Sequence, residues 1–169
     1  MVSVSVFARK PVESPAETDY DAMPFMAASQ PGPSMYPMTL NRTGMRPMKV
    51  TGAEIVSATS HQTGTPFWYE LNVVSTDDGR MLIDIRNYQK REGSVDRFKV
   101  IEAYGIEDVV STLENYDPVS DMVTTLDLEN ESMSAVELTL QAAMLKLSML
   151  EARRQFRELV GEVLHGLEA

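Results

Sequence analysis

The sequence predicts an α+β fold: an antiparallel four-strand meander, a short helix and a long C-terminal amphipathic helix, preceded by an extended N-terminal arm. Three observations predict it. Residues 67–75 and 80–88 each alternate apolar and polar around Asp77-Asp78-Gly79, the mark of a half-buried hairpin. From Ser134 to about Leu167 apolar residues recur at alternating steps of four and three, the mark of a helix. Strands come first and helices after, which segregates the helices to one face of an antiparallel sheet.

Residues 1–47 read as an arm, because seven of the nine prolines sit there and no period of 2 or 3.6 emerges. Met23, Phe25, Met26, Met35 and Tyr36 are interleaved with those prolines. Methionine fills irregular grooves, so two readings stay open: a disordered tail, or an arm that wraps a neighbouring subunit or another protein. A weak first strand follows over Lys49–Thr59, with Gly52 inside it as a candidate bulge, and His61–Pro66 forms a turn.

The hairpin loop fixes a register. A three-residue loop wants its last residue left-handed, which suits Gly79. Val73 then opposes Ile83 and Leu71 opposes Ile85 on one face, while Trp68 opposes Tyr88 and Glu70 opposes Arg86 on the other. An aromatic pair and an opposite-charge pair falling together support that register, each contributing about 0.2–1 kcal/mol. After a polar loop, a fourth strand (Arg97–Tyr104) puts Phe98 and Val100 on one side and Arg97, Lys99 and Ile101 on the other. A short helix begins near Ile106, and residues 48–116 form the sheet unit. An acidic linker occupies 117–133 and the helix 134–169.

The long helix opens with Ser134-Ala135-Val136-Glu137, a capping box in which each side chain satisfies the other residue's free N–H. One heptad stripe, Leu138, Leu145, Met149, Phe156, Leu159 and Val163, runs its whole length as in a coiled coil. A second, of Val136, Leu140, Ala143, Leu147 and Leu150, stops where Arg153, Arg154 and Arg157 begin. A helix with two apolar faces must be covered on both. Its own sheet can cover one; the other predicts self-association, a dimer or higher, with the heptad stripe as the oligomer interface. Cover by the linker and arm is the alternative.

Composition narrows the chemistry. Net charge is -10, and nine of the ten excess negative charges lie beyond Ile106, which argues against a duplex-DNA binder. There is no cysteine, so disulfides and thiolate metal sites are excluded. No apolar run approaches the roughly 20 residues of a membrane span. The first ten residues place their charges after the apolar stretch, unlike a secretory signal, and a cytoplasmic protein is expected. His61 and His165 are the two imidazoles, Ser60-His61 lacks any nucleophile elbow, and Asp127, Glu129 and Glu131 lack the spacing of a calcium loop. No catalytic residue, cofactor or metal is assigned.

The second hairpin face carries a specific alternative. Trp68 and Tyr88 offer flat rings, with Arg86, Lys90, Arg91, Arg97 and Lys99 nearby, and sheets hold single-stranded nucleic acid by stacking bases beside cations. Met81-Leu82-Ile83-Asp84-Ile85-Arg86-Asn87-Tyr88, then a loop with Lys90, Arg91 and Gly93, a strand and a helix, resembles the positive-coactivator and Whirly-related single-stranded-DNA-binding fold over about 30 residues. That resemblance implies a dimer with Arg86, Tyr88, Lys90 and Arg91 on a binding ridge. The chain departs from the family's approach to its helix, having Ala103-Tyr104-Gly105-Ile106-Glu107 with no lysine and an added acid. The first expectation is therefore a non-enzymatic interaction or assembly protein, and the second a single-stranded nucleic-acid binder.

Overall fold

A computed structural model describes residues 34–90, 92–122 and 133–168. Most of the expected arm (1–33), Arg91 and the middle of the linker (123–132) lie outside the described residues. The elements are β1 (Tyr36–Leu40), β2 (Met48–Thr59), β3 (Phe67–Thr76), β4 (Met81–Gln89), β5 (Arg97–Ala103), α1 (Ile106–Asn115), a 3-10 turn (Pro118–Asp121) and α2 (Ala135–Glu168). The fold is α+β, and its antiparallel sheet runs β1-β2-β3-β4-β5 in simple sequence order.

The sheet has five strands, not four. β1 comes from the tail end of the expected arm, where Tyr36, Met38 and Leu40 alternate after all. Pro37 survives there because β1 is an edge strand, with only one side hydrogen-bonded. β3 and β4 pair in the expected register, with Val73 opposite Ile83, Trp68 opposite Tyr88 and Glu70 opposite Arg86. Gly79 has φ +83°, the left-handed conformation the loop demands. The bulge in β2 falls between Glu54 and Val56 rather than at Gly52. Gly52 pairs regularly with Tyr36 and Thr76, and its need for glycine is close approach: a Cβ there would sit 2.5 Å from the Ser75 carbonyl oxygen.

One face of the sheet carries the main core. Tyr69, Leu71, Val73, Ile83 and Ile85 are buried there under Val109 and Leu113 of α1 and under Ala152, Phe156, Leu159 and Val163 of α2. The aromatic contacts run in series, Tyr69 to Phe156 at 5.8 Å and Phe156 to Tyr116 at 4.9 Å. Tyr116 also bonds Asp121, and burial with that carboxylate pushes its hydroxyl pKa up. Arg153 forks onto Asp117 at 2.6 and 3.1 Å, so the start of the expected linker is tied to α2.

The other face closes by curling. The Thr43 N–H donates to the Phe98 carbonyl and the Phe98 N–H donates to Thr43 Oγ1, both at 2.8 Å, so the β1–β2 loop reaches β5. The curl folds Met38, Leu40, Met48 and Val50 over Val74, Leu82 and Val100, a second small core. It leaves the end of this face around Trp68 and Tyr88 half-exposed.

The two glycines separate steric crowding from backbone strain. Gly79→Ala meets open space and loses only the left-handed conformation, an expected cost of about 1 kcal/mol. Gly52→Ala drives a methyl against backbone that cannot move aside, and is expected to cost clearly more. Urea denaturation of both variants, with Gly79→Ala as the more damaging, would reverse this account.

Candidate functional site

Two surfaces bear on function: the uncurled end of the sheet and the first half of α2. On the sheet, Trp68 and Tyr88 stack with ring centroids 5.1 Å apart and planes 19° apart. His61 meets the Trp68 ring edge-on at 4.8 Å, Phe98 meets Tyr88 at 5.9 Å, and Lys90 Nζ lies 5.2 Å from the Trp68 centroid. These rings pack on one another rather than lying open side by side. His61 is exposed and packs its ring edge-on against Trp68, while the hydroxyl of its neighbour Ser60 is engaged elsewhere. The Ser60 hydroxyl donates to Gln155 Oε1 at 2.9 Å and accepts from the Tyr69 N–H at 2.9 Å, pinning the turn to α2.

Arg86 is spent within the protein. Its guanidinium reaches Asp84 Oδ2 at 2.7–2.8 Å and Glu70 Oε2 at 3.6 Å, while the Tyr88 hydroxyl donates to Glu70 at 3.2 Å. Asp84 is 1% exposed, and its Oδ1 has no hydrogen-bond partner among the described residues. Burial outweighs Arg86 and raises its pKa.

Arg97 and Lys99, grouped with this face from the sequence, belong to the other one. Phe98 is the β5 residue opposite Arg86, so its neighbours Arg97 and Lys99 share the helix-covered face with Asn87 and Ile85. Lys99 pairs Asp121 at 3.3 Å and lies 4.8 Å from the Tyr116 ring centroid. Of the expected cations, Lys90 alone among the described residues stands beside Trp68; Arg91 lies outside them.

The second surface begins at the capping box. The Glu137 carboxylate accepts the Ser134 N–H at 2.8 Å, and the Glu137 N–H donates to Ser134 Oγ at 3.2 Å. From there α2 runs 34 residues, about 50 Å at 1.5 Å per residue. A ten-residue strand such as β3 spans only about 33 Å. The sheet covers the C-terminal half of the helix, and residues 134–144 are all exposed.

This division splits the expected interface. Phe156, Leu159 and Val163 are buried in the chain's own core, so they are withdrawn from any subunit contact. Leu138, Leu145 and Met149 lie above them on the same side, with Leu138 37% exposed and the other two half-buried. The second stripe points the opposite way. Val136, Leu140, Leu147 and Leu150, with Met144 beside them, are 53–79% exposed. At Arg154 that stripe turns charged, with Glu151 at 2.7 Å and Glu158 at 2.8 Å from its guanidinium.

Among the described residues no group of histidine and acidic side chains is arranged to hold a metal, and no helix is long and apolar enough to cross a membrane. Asp127, Glu129 and Glu131 lie outside the described residues. No family model, no curated protein and no solved structure matches the chain.

The orphaned Asp84 oxygen gives a pH signature. Its pKa is raised on folding from the ordinary 3.8, so its charge costs stability as pH climbs from there through the raised value. Asp84→Asn removes that charge while keeping an oxygen for the half-exposed Arg86. At pH 7 the thermal midpoint of Asp84→Asn is expected to equal or exceed that of the native chain, with the difference vanishing toward pH 3. A midpoint lowered by several degrees at pH 7 would show that the Arg86 pair outweighs burial.

Proposed function

We propose that this protein is a non-enzymatic assembly module that self-associates through the first half of α2. The observation that carries this reading is the row of exposed apolar residues from Val136 to Leu150, directly opposite the stripe that α2 spends on its own sheet. Isolated exposed leucines need no explanation, but a contiguous apolar stripe on a monomer marks an interaction surface. A second copy fits it best. The segment 135–150 holds only Glu137 and Lys146 as charged residues, so it presents an apolar stripe with balanced flanks that suits an identical stripe. Fully burying each such side chain contributes about 1.5–3 kcal/mol, and together they have to exceed an association cost of about 4–15 kcal/mol.

The sheet-face reading, a single-stranded nucleic-acid binder of the positive-coactivator and Whirly-related kind, is weaker. Its rings are stacked together, Arg86 is held by Asp84 and Glu70, and Lys99 faces the helices.

Light scattering at increasing concentration is expected to show the mass rising above 18.8 kDa. Leu140→Glu with Leu147→Glu should return a folded monomer whose thermal midpoint equals that of the native chain at dilute concentration, because both positions are exposed in the single chain. Phe156→Ala should instead destabilise the fold by about 3–5 kcal/mol. A native chain that stays at 18.8 kDa at every concentration would refute self-association.

A further inference from the structure

We propose that the two α2 helices pair antiparallel, about a two-fold axis between residues 141 and 142, a geometry that rests on the self-association proposed above. Within α2 the outward stripe is Val136, Leu140, Ala143, Leu147 and Leu150, at heptad spacing. About that axis Val136 faces Leu147 of the partner subunit and Leu140 faces Ala143, while Leu150 lies at the start of the partner's helix. The small residue is thus always set against a leucine. A parallel pair would set Ala143 on Ala143 and leave a hollow between two leucine layers.

Charge favours the same choice. Seven residues past Leu147 the stripe reaches Arg154, so a parallel pair carried onward would oppose two arginines. In the antiparallel pair Arg154 lies beyond the start of the partner's helix, which begins at Ala135. A parallel pair would offer Lys146 to Glu151, but Glu151 already accepts bonds from Arg154 and Gln155 at 2.7–2.9 Å. Each chain carries a net charge of -10, and the antiparallel arrangement sets the two sheets at opposite ends rather than together. The opposed helix dipoles add a small favourable contribution.

The chain has no cysteine, so introduced thiols report without background. Val136→Cys and Leu147→Cys, both at exposed positions, would be made in differently tagged full-length chains and treated with a short bis-maleimide singly and mixed. In the antiparallel pair, like positions lie about 16 Å apart along the axis and unlike positions face one another. A heterodimeric adduct in the mixture, with little adduct from either variant alone, is the expected result. Adducts from each variant alone and none between them, at a dimeric mass by light scattering, would overturn the orientation and leave self-association standing. A monomeric mass would overturn both.

Discussion

The structure depends on one mismatch of lengths. α2 is longer than any strand it can lie on, and the sheet face has room for only about its last five turns. Those turns are anchored by Phe156, Leu159 and Val163, by the bonds of Gln155 to the Ser60 turn, and by the Arg153–Asp117 fork. N-terminal to them the helix stays apolar on two opposite sides, with Leu145 and Met149 half-buried and residues 134–144 exposed all round. The fold is therefore complete at one end of the helix and incomplete at the other.

The sheet solves a similar difficulty by bending. A flat five-stranded sheet with helices on one face would leave Val74, Leu82 and Val100 in water. Curling brings Leu40 and Met38 across them and ties Thr43 to Phe98. The curl ends where the strand faces turn polar, and there the chain holds a dense network of Asn72, Asp84, Arg86, Glu70 and Tyr88. Ser57 extends it, donating to Asn72 Oδ1 at 2.6 Å. Apart from Asp84 Oδ1, those side chains bond one another, which is why a face that looks recruitable in sequence is largely self-contained in three dimensions.

Much of this was legible in the sequence, for identifiable reasons. Asp77-Asp78-Gly79 allows one register, and Trp68–Tyr88 and Glu70–Arg86 follow from it. The capping box at Ser134 marked the start of α2 because both of its bonds are local. β1 was hidden because Pro37 interrupts a run too short to show its alternation. The face of β5 was hidden because the loop of residues 90–96 leaves its pairing with β4 open, and only that pairing places Lys99 on the helix side of the sheet, exposed beside Asp121. The two stripes of α2 were visible, but the one expected at the oligomer interface is, over Phe156, Leu159 and Val163, the one that the sheet covers. The clue was present: the stripe that continues past residue 150 has to be the one covered where the helix is anchored, and the stripe that ends in Arg154 has to face outward.

The anchored half and the unsupported half of α2 also differ in what keeps them helical. A stretch such as residues 134–144, exposed all round, is marginally helical in water even with a good cap. The solvent-facing turns before residue 150 would then fray in a lone chain and be held by the neighbouring helix in a pair. Backbone amides there would exchange with solvent far faster in dilute solution than those around Phe156. Subunit pairing in this protein would thus be partly a folding reaction, with its entropy paid by the last turns to become ordered.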